Sequence, residues 1–163
     1  MTNLTLYHNG PSTCSQKVRL ILGLKGLEYE SKLIDLIQGE QHDPEYAKLN
    51  PNHVVPTLVT SDSVLIESSL INEYLEDAYP EISAKPKDPE QIHQMRLWIK
   101  NADTFHQFGG LITYGIAVRN LILAKSLEER EADINIISDP LKRKNRRELV
   151  EKGIESEAVQ DAI

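Results

Sequence analysis

The chain has 163 residues, and its 18 Lys+Arg against 25 Asp+Glu give a net charge of −7 at pH 7, which argues against nucleic acid as a partner. A composition of 40% apolar and 26% charged residues excludes wholesale disorder, and no apolar run approaches the about 20 residues that span a bilayer, so we expect no membrane association. The single cysteine, Cys14, excludes an internal disulfide and, with no secretory signal visible, predicts a cytoplasmic location.

Short strand and helix patterns alternate through the first half of the chain. Period-2 alternation and turn residues predict strands at residues 4–7, 29–34, 54–59 and 64–66. Helical spacing and capping residues predict helices from residue 12 or 13 to Gly26, at 44–49 and at 67–78. The resulting order, β-α-β-α-β-β-α, predicts an α/β domain with a small mixed sheet and helices on its faces.

A proline-rich stretch separates this part of the chain from a purely helical region. Residues 80–88 carry few large apolar side chains and predict a linker between a domain at 1–79 and a second domain at 89–163. Apolar residues continue at helical spacing to about Leu123, after which the chain is highly charged. We interpret the basic segment 142–147 as a solvated helix face.

The first candidate site lies at the predicted junction of strand and helix around residues 12–15. Backbone N–H groups at a helix N-terminus favour an anion, so a thiolate at Cys14 would have a lowered pKa. The hydroxyl of Ser12 can instead donate a hydrogen bond to the thiolate of a bound ligand. The alternative is purely structural, with Ser12 and Thr13 capping the helix and Cys14 packing as a small core residue.

The second candidate site is the segment His-Val-Val-Pro at residues 53–56. If the Val55–Pro56 bond is cis, the main chain of Val55 can pair with an extended, peptide-like ligand in the manner of an added strand. Base rates favour a trans bond, because only about 5–6% of X–Pro bonds are cis. On its own, His53 is expected to be a surface loop residue.

The third candidate site is Glu67-Ser68, at another predicted junction of strand and helix. Ser68 and the helix N-terminus can take a carboxylate while Glu67 takes an amine. The structural alternative is that Ser68 serves only as a helix cap. All three sites fall at junctions of one small unit, so we expect them to gather at one end of its sheet. A ligand with a thiol, a peptide backbone, an α-amino acid end and a second carboxylate would satisfy all three.

Three stretches of the sequence resemble the cytosolic glutathione transferase superfamily. Residues 6–29, which begin Leu-Tyr-His-Asn-Gly-Pro-Ser-Thr-Cys-Ser, are similar to the first strand and helix of that family. Asn-Pro-Asn-His-Val-Val-Pro at 50–56 resembles its cis-proline segment, and Ile-Glu-Ser-Ser-Leu at 66–70 resembles its Glu-Ser helix start. The resemblance implies a thioredoxin-like N-terminal domain followed by a partial all-α domain.

The resemblance also implies a glutathione site. Glu67 and Ser68 would hold the γ-glutamyl end of glutathione. Val55, preceding the cis proline Pro56, would pair with the cysteinyl backbone through its main chain. His53 would lie near the glycyl carboxylate.

For the catalytic group the resemblance gives two alternatives. Zeta-like and theta-like members place their activating serine at Ser12. Members of the beta class and the cysteine-dependent reductive dehalogenases, which share the pattern Cys-Ser-x-Lys-x-Arg, place a catalytic cysteine at Cys14. Tyr7 lies on the strand that carries the catalytic tyrosine of other classes, but we expect it to be a packed strand residue.

The expected function is therefore that of a detoxification transferase, which uses glutathione as co-substrate and conjugates it to a small electrophile or displaces halide. The alternatives are a glutathione thiol transferase or reductive dehalogenase acting through Cys14, and a catalytically silent interaction module. The family implies a homodimer, and no metal is expected because the five histidines lack paired ligand spacing. Because members of the family are longer, we expect the helical domain to be truncated and residues 139–163 to have little to pack against.

Overall fold

The computed structural model describes residues 3–137 and 139–161. Its contacts divide the chain into two compact units, Met1–Asn101 and Ala102–Ile163. The linker expected at 80–88 stays a prediction.

Four strands of the first unit form one mixed sheet. They are β1 (Thr5–His8), β2 (Glu30–Leu33), β3 (Thr57–Val59) and β4 (Val64–Leu65). Their order in the sheet is β2-β1-β3-β4, with β1 parallel to β2 and antiparallel to β3, and with β3 antiparallel to β4. The predicted mixed sheet is confirmed, but β3 begins only at Thr57, because Pro56 has no N–H to donate to a sheet ladder.

Three helices accompany the sheet, and the predicted order β-α-β-α-β-β-α is confirmed. They are α1 (Thr13–Leu24), α2 (Pro44–Leu49) and α3 (Ser68–Ala78), with a short 3-10 turn (Glu40–His42) before α2. Gly26 follows α1 with φ of 64°, a left-handed conformation that glycine adopts without steric cost. Asp43 caps α2 by accepting a hydrogen bond from the N–H of Glu45 at 2.8 Å.

The main core of this unit lies between the sheet and helices α1 and α3. Its buried residues are Leu4, Leu6, Val18, Leu22, Leu58, Ile71 and Leu75. A smaller cluster contains Ile34, Tyr46 and Val55, with Tyr7 packed against it. Leu6 and Tyr7 belong to different clusters because successive side chains of a strand point to opposite faces of the sheet.

A buried cation, Lys25, connects the end of α1 to the chain that follows α3. Its side chain is only 1% exposed, and its Nζ donates to the carbonyl oxygens of Tyr79 at 2.9 Å and Ile82 at 2.7 Å. The same Nζ lies 2.9 Å from Oε1 of Glu76. These three acceptors surround the charge, which is the condition under which a lysine can be buried.

The Glu76 carboxylate predicts a loss of stability in acid. Its burial alone would raise its pKa, but hydrogen bonds from Lys25, the N–H of Ala84 and the Ser83 hydroxyl hold the pKa at about 2, against an ordinary value of 4.5. Because the folded-state pKa is depressed, this stabilisation is present above about pH 4.5 and is lost as the pH falls toward 2. With its side chain 10% exposed, we expect the loss to be roughly 1–3 kcal/mol.

Urea unfolding of the wild type and of Glu76→Gln at pH 7 and pH 3 measures this loss. The variant should lose less stability between the two pH values than the wild type, because its side chain does not titrate. Equal losses in both proteins would contradict the prediction and assign the acid sensitivity to other carboxylates.

From residue 89 on, the described chain is mainly helical. The helices are α4 (Pro89–Thr113), α5 (Arg119–Leu123), α6 (Leu127–Asn135), α7 (Pro140–Lys152) and α8 (Glu157–Gln160), with a π-helical turn (Tyr114–Val118) between α4 and α5. Within the part of the chain that the structure describes, no helix combines the length and apolar character needed to cross a membrane.

Helix α7 packs within the second unit. Val150 is buried in a cluster with Ile122 and Ile134, and the Nε of Arg119 donates to the Val150 carbonyl at 3.0 Å. The expectation that residues 139–163 have little to pack against is therefore wrong for residues 139–161. The reason is that the short helices α5 and α6 already present an apolar surface to α7.

The basic segment on α7 is only partly solvated. The Arg146 guanidinium lies 4.0 Å from the centre of the Tyr114 ring, a cation–π contact. Arg147 forms an ion pair with Glu131. Two of its cations are thus engaged within the unit, which corrects the interpretation of residues 142–147 as a simple solvated helix face.

Candidate functional site

The pairing of the strands places the predicted junctions at one end of the sheet. Tyr7, near the end of β1, pairs with Thr57 at the start of β3. Leu65, at the end of β4, pairs with Leu58 of β3. The three candidate segments, which lie next to these strand ends in the chain, are residues 12–15, 53–56 and 67–68.

Ser12 and Cys14 occupy the N-terminus of α1. Ser12 caps the helix, its Oγ accepting a hydrogen bond from the N–H of Ser15 at 3.2 Å. The Ser12 hydroxyl donates to no other residue among those that the structure describes. Cys14 is half-buried in the first turn and is a free thiol. Both a hydroxyl donor and a thiol are therefore available at this helix end.

Glu67 and Ser68 form the start of α3. Glu67 has φ of 67°, a left-handed conformation that costs a non-glycine residue of order 1–3 kcal/mol and that is concentrated at ligand-binding sites. Among the residues that the structure describes, no side chain caps the helix, and Ser68 is buried. The Nζ of Lys17 donates to the Oγ of Ser69 at 2.7 Å, which fixes the first turn of α3 against α1. The uncapped N–H groups of α3 are suited to a carboxylate.

The Val55–Pro56 peptide bond is cis, so the base-rate expectation of a trans bond is wrong here. The side chain of Val55 packs with Ile34 and Tyr46. Within residues 3–137 and 139–161, the main-chain N–H and C=O of Val55 make no hydrogen bond. These two groups are therefore available to an extended ligand beside the sheet.

His53 lies in the loop before β3 with φ of 56°. Its Nδ1 is 3.1 Å from the Gln41 carbonyl oxygen, and its ring centre is 5.1 Å from that of His42. Because a carbonyl oxygen only accepts, Nδ1 is the nitrogen that carries a proton in this contact.

A buried polar network that sequence reasoning missed supports the cis-proline loop. Asn50 is fully buried, and its Nδ2 donates to the Val54 carbonyl at 2.8 Å and to Oγ1 of Thr57 at 3.0 Å. The Tyr46 hydroxyl donates to the same Val54 carbonyl at 2.6 Å and lies 2.9 Å from the same Thr57 oxygen. The sequence signal was Asn50 itself, which opens the segment 50–56 that resembles the cis-proline motif but was given no role for its side chain.

This network predicts strong coupling between Asn50 and Tyr46. In Asn50→Ala the Tyr46 hydroxyl still donates to the Val54 carbonyl, and in Tyr46→Phe the Asn50 amide still does so, so each single change should cost about 1–2 kcal/mol. The double variant leaves the Val54 carbonyl without either donor and the Thr57 hydroxyl without either partner, so it should cost more than the sum of the two. Urea unfolding of the four proteins measures the coupling, and strictly additive costs would contradict it.

No candidate metal site accompanies these residues. Across residues 3–137 and 139–161, no three Cys, His, Asp or Glu side chains converge closely enough to hold a metal ion.

The sequence is similar to those of known glutathione transferases. Residues 11–78 match the family model described as glutathione S-transferase, N-terminal domain. The chain is 37% identical over 135 residues to Protein LigF of Sphingobium sp. (strain NBRC 103272 / SYK-6), which covers 81% of this chain and 52% of LigF. It is 46% identical over 85 residues to the zeta class glutathione S-transferase of Euphorbia esula, covering 52% of this chain and 38% of that one. The sequence alignment thus covers about half the length of LigF.

The structure is similar to solved structures of the same family. The crystal structure of beta-etherase LigF from Sphingobium sp. strain SYK-6 matches with a TM-score of 0.87 at 34% identity, covering 98% of this chain and 67% of LigF. A glutathione transferase homolog from Sulfitobacter, solved with bound glutathione, matches with a TM-score of 0.64 at 27% identity, covering 94% and 71% of the two chains. The chain therefore belongs to the glutathione transferase superfamily, and its sheet and first three helices form the thioredoxin-like domain of that fold.

Proposed function

We propose that the protein is a glutathione transferase in which Ser12 stabilises the thiolate of bound glutathione. The observation that carries the proposal is the Ser12 hydroxyl, which has no hydrogen-bond acceptor among the described residues and lies at a helix N-terminus beside one end of the sheet. The two other groups that a tripeptide needs lie next to strand ends at the same end of the sheet. They are the free main-chain N–H and C=O of Val55, just before β3, and the uncapped start of α3 at Ser68, just after β4.

Glutathione would bind at this end of the sheet in the following orientation. Its γ-glutamyl amine meets the Glu67 carboxylate, while its α-carboxylate accepts hydrogen bonds from Ser68 and the N–H groups of α3. Its cysteinyl main chain pairs with Val55, next to Pro56, and its glycyl carboxylate lies near His53. The uncapped helix and the strained φ of Glu67 support this orientation.

The chemistry follows from the hydrogen bond of Ser12 to the glutathione sulfur. A donor to the charged form of a thiol lowers its pKa, and a fall of about two units corresponds to about 2.7 kcal/mol. The thiolate then attacks an electrophilic carbon, the C–S bond forms, and the leaving group departs with its bonding electrons. Halide is one such leaving group, and the beta-etherase name of LigF suggests an ether oxygen as another.

A second candidate function uses Cys14 in place of Ser12. The observation that favours it is the free, half-buried thiol of Cys14 in the first turn of a 12-residue helix. The Cys14 thiolate would attack the sulfur of a glutathione mixed disulfide and displace the other thiolate, so that the reaction is thiol–disulfide exchange.

Calorimetric titration of reduced glutathione into the protein tests the proposal, with circular dichroism to verify folding and an activated chloroarene as electrophile. We expect saturable binding at one site and formation of the thioether with release of chloride. A folded protein that gives no heat overturns the proposal and favours the catalytically silent interaction module. Binding with thiol exchange but no thioether favours the Cys14 function.

The proposed enzyme is cytoplasmic and homodimeric. The family supports both properties, and exposed apolar side chains of the first unit support an interface between copies. Trp98 is 74% exposed and Leu70 is 61% exposed, so both could be covered by a second copy of the chain. Sedimentation of the wild type and of Trp98→Glu tests the dimer: the variant should be monomeric if this surface is the interface.

A further inference from the structure

Arg19 of α1 reaches back over the loop that precedes its own helix. Its Nη1 donates to the carbonyl oxygen of Asn9 at 3.0 Å, and its Nη2 donates to that of Gly10 at 2.9 Å. These two carbonyls belong to the turn between β1 and Ser12. A planar guanidinium holds two acceptors in a fixed relative position, which a lysine cannot do.

His8 provides a third acceptor that orients the guanidinium. Its Nδ1 lies 3.1 Å from Nη1 of Arg19, and its Nε2 lies 2.7 Å from the Oγ of Ser31. Because arginine always donates, Nδ1 must be the unprotonated nitrogen, and Nε2–H donates to Ser31. Burial, and then the charge of Arg19, lower the pKa of His8, which keeps the ring neutral as this arrangement requires.

The loop held by Arg19 has restraints on either side of Gly10. The N–H of Asn9 donates to the Oγ of Ser15 at 3.3 Å, and the Nε2 of Gln16 donates to the Pro11 carbonyl at 3.4 Å. The Asn9 side chain donates to the Ile34 carbonyl at 2.9 Å, which fixes the start of the loop against the residue that follows β2. Gly10 has no atom within 4 Å of the position of a Cβ, so packing does not restrain it.

Ser12 is itself held at the start of α1, because its Oγ accepts from the N–H of Ser15 at 3.2 Å and its carbonyl accepts from the N–H of Gln16 at 2.9 Å. Arg19 adds two hydrogen bonds to successive carbonyls of the turn that leads to Ser12, so it restrains the approach of the chain to the hydroxyl.

We propose that Arg19 is a positioning residue for the Ser12 hydroxyl: by clamping the carbonyls of Asn9 and Gly10, with neutral His8 as its third acceptor, it places that hydroxyl against the glutathione sulfur. This inference rests on the proposed function. Arg19 itself touches neither glutathione nor the electrophile. Its loss displaces the hydroxyl and weakens a hydrogen bond whose strength depends on donor geometry.

The test compares Arg19→Met and Arg19→Lys with the wild type by the ultraviolet absorbance of the bound glutathione thiolate as a function of pH. In Arg19→Met the pKa of the bound thiol should rise by about one unit, and kcat for conjugation should fall roughly 10–100-fold with little change in the KM for glutathione. Arg19→Lys keeps the charge but can bond only one carbonyl at a time, so its thiol pKa should lie between those of the other two proteins.

Arg96→Met is the matched control. Arg96 also lies on a helix of the first unit, but it pairs with Glu73 at 3.4 Å on the surface, far from the loop in the chain. The Arg96→Met variant should leave the pKa of the bound glutathione thiol and the kcat for conjugation unchanged. Urea unfolding of all four proteins shows how much stability each change removes.

The outcomes separate this inference from the proposed function. If the wild type and Arg19→Met ionise bound glutathione equally well, the role of Arg19 is overturned and the proposed function stands. This holds even if the variant is less stable. If Arg19→Met does not fold, an unshifted thiol pKa in Arg19→Lys overturns it in the same way. A folded wild type that neither binds nor ionises glutathione overturns both.

Discussion

Replacing Lys25 by methionine is expected to lower the free energy of unfolding by about 3–5 kcal/mol, a large part of the 5–15 kcal/mol typical of a domain. The ammonium group is 1% exposed and lies 2.9 Å from the Glu76 carboxylate. Methionine fills a similar volume but leaves that carboxylate without its cation. It also leaves the carbonyls of Tyr79 and Ile82 without their donor. Urea unfolding at pH 7, followed by circular dichroism, measures the loss.

Two comparisons separate the buried charge from a general effect of removing a lysine. Lys48 forms an ion pair with Glu45 in which both side chains are more than two-thirds exposed, so Lys48→Met should cost less than about 1 kcal/mol. The double variant Lys25→Met/Glu76→Gln removes both charges and should recover part of the stability that Lys25→Met loses. Equal losses in the free energy of unfolding for Lys25→Met and Lys48→Met would show that the buried ion pair stabilises the protein no more than the exposed one.

Replacing Ser12 by alanine is expected to lower kcat/KM for conjugation about 100-fold and to raise the pKa of the bound thiol by about two units, because the donor to the thiolate is lost. Cys14→Ala should keep conjugation and lose thiol exchange. Steady-state kinetics and the pH dependence of thiolate absorbance measure both effects. Loss of conjugation in Cys14→Ala would contradict the role given to Ser12.

The capping role of Ser12 requires its own control. Ser12 accepts a hydrogen bond from Ser15, so Ser12→Ala also removes a helix cap worth about 0.5–2 kcal/mol of stability. Ser12→Asp keeps a capping oxygen but has no proton to donate and repels a thiolate. It should retain stability and still lose at least as much activity. A stable, active Ser12→Asp would show that the cap, not the donor, matters.

Local signals in the sequence predicted much of the first unit. Asp43-Pro44 marked the start of α2, and Gly26 marked the end of α1, because caps and left-handed turns are determined by residues close in the chain. The candidate site residues could be proposed for the same reason, since they occupy junctions between elements. The capping box of Ser126 and Glu129, which starts α6, was an equally local signal that was overlooked.

The supporting groups could not be predicted in this way. Asn50, Lys25 and Arg19 are polar residues whose roles depend on the groups that surround them in the fold. Their partners include main-chain carbonyls, which have no sequence signature, and for Lys25 these carbonyls are also distant in the chain. Polar residues are usually exposed, so burial of Asn50 runs against the composition-based expectation. The same limit applies to the packing of α7, which depends on apolar residues of two other short helices.

The two borders of the sheet have a consequence for how the protein behaves at high concentration. On one side, β2 presents four exposed residues to water, among them the paired charges Glu30 and Lys32. On the other side, β4 is only two residues long. Charged and very short outer strands are poor templates for a strand from another molecule. Both borders therefore disfavour the strand-by-strand association through which sheet proteins aggregate.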